Sequence, residues 1–195
     1  MSSVGFYEDN AEWFFGRTVN VDMSATQNRF LGHLKPGAAV LDAGCGSGRD
    51  AKVFKDLGFN VTAMKAAPSL AALAQAHIGS PVEVKTFDQI TWRDRFDGVW
   101  ACASLLHVPA EDLPVVLGKL HDALVPGGIL WASFKLGTEE RIDGDRLFTD
   151  FDEARMRALL ARVSGFSLIE LYVTLDSRNE FSHQSWLNII CRKST

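Results

Sequence analysis

Cysteine is scarce in this sequence, and the few cysteines are far apart. Cys45, Cys102 and Cys191 form no CxxC pair and no Cys/His cluster. An odd, scattered set argues against a disulfide framework, and the missing cluster argues against zinc. We therefore expect no metal site, and we expect a reducing compartment, the cytoplasm.

Long apolar segments and runs of basic residues are also missing. No stretch of about 20 apolar residues could form a membrane helix. The first residues, MSSVGFYEDNAEWFF, lack the basic start and apolar run of a signal peptide. The formal net charge is -4 and no stripe of Lys and Arg follows a helix. We therefore expect neither nucleic acid nor a membrane as a partner, and nothing indicates the oligomeric state.

What the sequence does contain is a regular alternation of short apolar strands and amphipathic helices. The strand AAVLDAG precedes the helix RDAKVFKDLG, and the strand FNVTAM precedes the helix PSLAALAQAH. The strands VEVKTF, FDGVWACA and GILWASF continue the series, whereas FSLIELYVTL and SWLNIICRK have no helix between them. This pattern predicts an α/β fold with a doubly wound, mostly parallel, seven-stranded sheet that ends in an antiparallel pair.

The length and the lack of a linker predict a single domain over residues 1–195. Residues 1–36 are rich in aromatic side chains, and we expect two short helices there that form a lid, with Ser24 as a helix cap. Residues 37–195 would form the core. A polar loop is expected between GILWASF and the helix DFDEARMRALLARV.

The segment VLDAGCGSGRD is the strongest functional signal. Gly44, Gly46 and Gly48 lie between the first strand and the first helix, and Asp42 precedes them. Glycine lets backbone approach a ligand closely, and the helix N-terminus behind it is locally positive. The G-x-G-x-G spacing differs from G-x-G-x-x-G, and no Lys-Ser or Lys-Thr follows, which argues against phosphoryl transfer.

This segment resembles the first motif of the class I S-adenosylmethionine-dependent methyltransferases. FDGVWACASLLHVP and LHDALVPGGILWASF resemble later landmarks of that family, so the resemblance extends from about Tyr7 to Arg192. NAEWFFGRTVNVDMS and ASLLHVP are similar in particular to small bacterial methyltransferases of the tellurite-resistance type. The resemblance implies a Rossmann-like fold, S-adenosylmethionine as cofactor with S-adenosylhomocysteine as product, and a small-molecule acceptor such as an oxyanion or a thiol.

The resemblance also implies which residues contact the cofactor. They lie in the lid, in the glycine loop and after strands two, three and four. The family pattern favours an acid at Gln89, so the acid here would be shifted by one position. The full set is Tyr7, Arg17, Asp42, Gly44, Cys45, Gly46, Gly48, Lys65, Ala66, Asp88, Gln89 and Ala103.

Lys65 stands where the family has the acid that holds the ribose. A charged lysine has no acceptor lone pair, and losing that contact would cost about 1.5–3 kcal/mol. Four interpretations of Lys65 remain open. The first is a methyltransferase with weakened or rearranged ribose binding. The second is an inherited fold that binds the cofactor poorly and binds a partner instead. The third is a ligand with a negative group beside the ribose, such as NADP. The fourth is a solvated Lys65, with the ribose held by another acceptor.

The sequence gives weaker signals for the residues that would bind the methyl acceptor. His107, after the fourth strand, is the candidate acid/base or oxyanion contact, although it could instead pack under the helix at Ala110. Trp13 could close an apolar lid or lie on the underside of a helix. Arg178 and His183 could bind an anion or be solvated in the loop DSRNEFSHQSW. The predicted substrate residues are therefore Trp13, His107, Arg178 and His183.

Overall fold

The computed structural model describes residues 3–181 and 183–194, and its centre is a seven-stranded sheet. Its strands are β1 (Ala39–Ala43), β2 (Asn60–Lys65), β3 (Val82–Val84), β4 (Phe96–Ala101), β5 (Leu124–Lys135), β8 (Phe166–Leu175) and β9 (Ser185–Lys193), and β6 (Glu140–Asp143) and β7 (Arg146–Thr149) form a separate two-stranded sheet. The order in the sheet is β3-β2-β1-β4-β5-β9-β8. Strands β1 to β5 are parallel, and β9 runs antiparallel to both β5 and β8. The predicted fold class is confirmed.

Helices cover both faces of this sheet. They are α1 (Ser3–Asp9), α2 (Ala11–Thr18), α3 (Ser24–Leu31), α4 (Arg49–Asp56), α5 (Pro68–Ile78), α6 (Leu113–Ala123) and α7 (Glu153–Ala161). One core cluster contains Leu117 of α6 and Met156 of α7. A second core cluster contains Phe30 and Phe54, packed on the stacked rings of Trp100 and Trp131. None of the helices in the described ranges has the length and apolar content needed to cross a bilayer.

The N-terminal segment contains three helices, whereas the sequence predicted two. Ser24 is the first residue of α3, and the cap position is Met23. The Ser24 N–H donates to the carboxylate of Asp22 at 2.8 Å. Tyr7, Ala11, Ala67 and Leu70 form a buried cluster between α1, α2 and α5. Apolar contact with α5 therefore holds these helices over the carboxyl end of the sheet.

The third strand is shorter than VEVKTF. It ends at Val84, and Phe87–Gln89 form a single 3-10 turn. This turn is closed by a capping box, in which the Thr86 N–H donates to the Gln89 side-chain oxygen at 3.0 Å. These local side-chain hydrogen bonds compete with the backbone hydrogen bonds of the sheet, and the strand ends there.

The predicted polar loop after β5 contains the hairpin β6–β7. Asp143 pairs with Arg146, so Gly144 and Asp145 form a two-residue turn, with Gly144 at φ +61°. A two-residue hairpin turn needs such a positive φ, which glycine adopts at little cost. The interpretation of this segment as a loop was wrong.

Candidate functional site

A cavity of about 1240 Å³ opens at the carboxyl edge of the sheet. This edge includes the gap between β1 and β4, where the order of parallel strands reverses and where α/β folds bind ligands. The structure brings most of the predicted residues to the walls of this cavity. They are Tyr7, Trp13, Arg17, Asp42, Gly44, Cys45, Gly46, Lys65, Ala66, Asp88, Ala103, His107 and Arg178.

Three predicted site residues do not line the cavity. Gln89 is exposed and its side chain closes the capping box described above. Gly48 is at φ +79°, and a Cβ there would lie 2.8 Å from a side-chain carbon of Ile78, so this glycine serves packing of α4 on α5. His183 is exposed in the turn before β9.

The glycine loop owes its shape to backbone conformation and close packing. Gly44 and Gly46 have φ of +95° and +56°. A Cβ on Gly44 would lie 2.6 Å from the Cβ of Ser104, whose hydroxyl donates to the Ala43 carbonyl at 2.7 Å. A side chain at Gly44 would therefore push apart β1 and the loop after β4.

Asp42 carries an unsatisfied polar atom beside this loop. The residue is 2% exposed, and its Oδ2 has no hydrogen-bond partner among the described residues. Burial, and then the charge of Asp50, raise the pKa of Asp42 well above its usual range. A buried carboxylate oxygen without a donor fits the ammonium group of an amino-acid cofactor such as S-adenosylmethionine.

Asp50, by contrast, is fully satisfied. It accepts from Arg49 at 2.7 Å, from Gln27 at 2.7 Å and from the Trp100 indole at 3.0 Å. Although burial opposes ionisation, the charge and hydrogen bonds of Arg49 keep the pKa of Asp50 below its ordinary value. Asp50 therefore has a structural role, and the free oxygen belongs to Asp42.

Lys65 lies at the end of β2 and contacts the lid. Its Nζ is 3.9 Å from the centroid of the Tyr7 ring. Burial lowers the pKa of Lys65 to about 8, against the opposing charges of Cys45 and Asp42. The interpretation of Lys65 as a solvated side chain was therefore wrong, because the ammonium sits on an aromatic ring that faces the cavity.

Tyr7 and His107 form a hydrogen-bonded pair in the cavity wall. Their Oη and Nε2 are 2.7 Å apart, and Nδ1 of His107 lies 2.6 Å from the Leu147 carbonyl. A carbonyl can only accept, so Nδ1 carries the proton and Nε2 accepts from the Tyr7 hydroxyl. Burial lowers the pKa of His107 to about 4, which keeps the imidazole neutral.

Ala103 has a strained backbone at the same place. Its φ of +48° is uncommon for a residue with a Cβ, and its N–H donates to the Ser133 hydroxyl at 2.9 Å. Strain of this kind often accompanies ligand sites. The thiol of Cys102, one residue earlier, has its pKa raised to about 12 by burial and is not an active nucleophile at neutral pH.

The hairpin supplies site residues that sequence reasoning missed. Arg146 stacks on Phe6 and Phe148, with Cζ 4.4 Å and 5.0 Å from the ring centroids. Its Nε is buried without a hydrogen-bond partner in the described part of the chain. Lys135, the last residue of β5, places its Nζ 4.3 Å from the centroid of Phe148 in the hairpin. The Asp-Gly turn signal in RIDGDRLF could have indicated this hairpin.

Arg178, predicted as an anion contact, and Arg17, predicted as a cofactor contact, are both already paired with carboxylates. Arg178 donates to Asp176 from Nε at 2.9 Å and from Nη2 at 2.7 Å. Arg17 pairs with Glu180 and lies over the ring of the exposed Trp13. These contacts connect the lid to the segment between β8 and β9 and leave neither guanidinium uncompensated.

Comparison with known proteins agrees with this geometry. A family model described as "Methyltransferase domain" matches residues 41–132. The malonyl-[acyl-carrier protein] O-methyltransferase of Serratia marcescens is 30% identical over 126 residues, which cover 60% of this chain and 49% of that protein. A ubiquinone biosynthesis O-methyltransferase of Xanthomonas campestris is 35% identical over 50% of this chain and 43% of its own length. The chain thus spans about half the length of these curated relatives.

A solved structure resembles the whole fold. The 1,6-didemethyltoxoflavin-N1-methyltransferase of Burkholderia thailandensis, with bound 1,6-didemethyltoxoflavin and S-adenosylhomocysteine, aligns with a TM-score of 0.78 and 25% identity. The alignment covers 98% of this chain and 87% of that one. Together with the strand order and the glycine loop, these matches show that the chain has the Rossmann-like fold of the S-adenosylmethionine-dependent methyltransferases and that residues 41–132 are similar to the methyltransferase domain.

Proposed function

We propose that this protein transfers a methyl group from S-adenosylmethionine to a small organic acceptor. The observation that carries the proposal is one cavity that contains both the free Oδ2 of Asp42 beside the glycine loop and the Tyr7–His107 pair. The Burkholderia relative binds S-adenosylhomocysteine together with a small molecule, which supports this combination.

The cofactor would be held by the glycine-loop side of the cavity. Asp42 offers an acceptor for the ammonium group, and Gly44 to Gly46 offer backbone that no side chain covers. Ala66, Asp88 and Ala103 line the same region, and Lys65 offers only donors at the ribose position. When bound, S-adenosylmethionine supplies an electrophilic methyl group, so the protein has to align the acceptor with it.

The Tyr7–His107 pair supplies a base for that acceptor. The Leu147 carbonyl keeps Nδ1 of His107 protonated, which leaves the lone pair of Nε2 on the Tyr7 hydroxyl. An acceptor proton passes to the Tyr7 oxygen as the Tyr7 proton passes to Nε2. S-adenosylmethionine held beside the glycine loop would supply the methyl group to the deprotonated acceptor atom, and S-adenosylhomocysteine would be the leaving group. His107 then releases the proton to solvent, because burial favours the neutral imidazole.

The proposed acceptor is an oxyanion or a thiol, and the size of the cavity favours an organic molecule. The cavity of about 1240 Å³ exceeds the range of about 300–1,000 Å³ usual for one small ligand. Kinship with the tellurite-resistance type would imply an inorganic acceptor, which would leave much of that space unused. The free thiols of Cys45, Cys102 and Cys191 support the cytoplasm as the compartment.

A transfer assay with methyl-labelled S-adenosylmethionine tests this proposal. The purified protein is incubated with a panel of hydroxy acids, phenols and thiols, and label in product is measured together with S-adenosylhomocysteine. We expect acceptor-dependent release of both. Tyr7→Phe keeps the ring under Lys65 but removes the hydroxyl, so turnover should fall by about 10²-fold with unchanged cofactor affinity. Cofactor binding without labelled product from any acceptor would contradict the proposal.

A further inference from the structure

We infer that the methyl acceptor is an organic acid whose carboxylate is bound between Lys135 and Arg146, beside the Tyr7–His107 pair. This inference rests on the proposed function and specifies its substrate class. It starts from the contacts of two cations in the cavity wall that no residue of the described chain neutralises.

Arg146 is the first of these cations. It extends from the start of β7 into the cavity, and its buried Nε has no hydrogen-bond acceptor within residues 3–181 and 183–194. A buried N–H without a partner costs about 1–3 kcal/mol. Its guanidinium lies over Phe6 and Phe148, and its charge and hydrogen bond act on Tyr7, where they oppose the rise in pKa that burial causes. An aromatic ring fixes a guanidinium in place without cancelling its charge, so the charge stays available to an anion.

Lys135, at the end of β5, is the second. Its ammonium lies 4.3 Å from the centroid of the same Phe148 ring, and it forms no ion pair within 4 Å among the described residues. The acids whose charges act on Lys135 are Asp150 and Asp143, and both form ion pairs with Arg141. Lys135 and Arg146 thus converge on Phe148 without a carboxylate between them.

Other arginines near the cavity differ, because carboxylates neutralise them. The pairs are Arg17 with Glu180, Arg49 with Asp50, Arg141 with Asp150 and Arg178 with Asp176. Among the arginines of the described residues that line the cavity, Arg146 is therefore the one without a carboxylate partner. His107 lies near it, its ring 5.1 Å from Phe148, and the charges of Lys65, Arg146 and Lys135 all disfavour its protonation.

An anion bound at this place would complete the site in two ways. A carboxylate accepts from the free Nε of Arg146 and from Lys135, and it balances the charge around His107. It also fixes the rest of the molecule next to the Tyr7 hydroxyl, where a nucleophilic group loses its proton. The aromatic side chains Phe14 and Phe148, which line the cavity, suit a planar carbon skeleton.

Matched acids and amides test the inference by binding alone. The probes are 4-hydroxybenzoate, 3-hydroxy-2-naphthoate and indole-3-acetate, each beside its primary amide. They are titrated by calorimetry into the protein saturated with S-adenosylhomocysteine. We expect at least one acid to bind about tenfold more tightly than its amide. Arg146→Gln and Lys135→Gln should each bring that ratio close to one, and Arg146→Lys should retain part of it.

Arg141→Gln is the matched control, because Arg141 lies on the same hairpin, pairs with Asp150 and is absent from the cavity wall. It should keep the acid preference, and S-adenosylhomocysteine affinity should be equal in all variants. No acid preference in any pair, or a preference that survives in both glutamine variants, would overturn the inference while leaving the proposed function intact. Failure of the wild-type protein to bind S-adenosylhomocysteine would overturn both.

Discussion

Lys65 shows how one side chain can depart from a family pattern and still belong to the site. Its ammonium lies on the Tyr7 ring, so it links the end of β2 to the lid helix α1. It offers no acceptor to a ribose, and the described residues that line this part of the cavity include no acid in its place at the end of β2. Among the interpretations of the sequence, this geometry favours rearranged ribose binding.

The first prediction concerns this position. Lys65→Asp restores an acceptor for the ribose hydroxyls and should tighten S-adenosylhomocysteine binding by about tenfold, measured by calorimetry. Lys65→Met offers neither donor nor acceptor and should change the affinity by less than about threefold. Weaker binding by both variants would mean that the lysine itself holds the cofactor.

His107 predicts a pH dependence of stability. Its pKa of about 4 in the folded protein lies below the ordinary value of 6.5. Between these values the unfolded chain binds the extra proton, so stability falls as pH decreases from 6.5 to 4. The contribution is about 3 kcal/mol. Urea unfolding of wild type and His107→Asn should show this difference in slope over that range. Parallel curves for the two proteins would contradict the neutral, buried histidine.

At the scale of elements, the hairpin β6–β7 connects His107 to α1. The Leu147 carbonyl accepts from His107, and the Leu147 N–H donates to the Ser3 hydroxyl at 3.0 Å. Arg146 and Phe148 come from the same strand. A two-stranded element of four residues on each side therefore positions His107, Arg146 and one end of α1.

Two glycines in turns differ in what a side chain would meet there. Gly44 and Gly144 both have positive φ, but only Gly44 would place a Cβ against protein, 2.6 Å from Ser104. Gly144→Ala should lower the free energy of unfolding by about 1 kcal/mol, the cost of the backbone conformation alone. Gly44→Ala should lower it by about 2–4 kcal/mol and weaken S-adenosylhomocysteine binding. Equal destabilisation of the two variants in urea would contradict the packing of the glycine loop.

The elements that sequence could predict are those with a long or strongly flanked pattern. Strands β1 to β5 alternate with helices, and apolar runs bounded by glycine mark them. Strands β6 and β7 have four residues each and face solvent for part of their length, so periodicity does not reveal them. The short β3 and the extra helix in residues 3–31 depend on local side-chain bonds, which a hydropathy pattern does not record.

The Tyr7–His107 contact was beyond such reasoning for a different reason. The two residues are 100 positions apart, and a 2.7 Å bond between them exists only after α1 has packed on α5 and the hairpin has folded over β5. Each residue alone was predicted as a site residue from family resemblance. Their pairing, and the uncompensated Arg146, became visible only in three dimensions.

For the molecule as a whole, distant segments build one cavity. The lid, the glycine loop, the ends of the parallel strands, the hairpin and the segment after β8 all contribute to its wall. For this reason we propose that residues 1–195 act as a single domain, with residues 1–36 as the lid. The net charge of -4 is distributed so that the acceptor end of the cavity keeps positive charge.

The central claim is that this cavity binds S-adenosylmethionine, and calorimetric titration of S-adenosylhomocysteine into the wild-type protein and into Asp42→Asn tests it most directly. We predict a dissociation constant between about 1 and 100 μM for the wild type. The Asn variant should bind about tenfold more weakly, because the ammonium group loses its charged acceptor. No binding by the wild type at about 1 mM, or equal binding by both proteins, would contradict the claim.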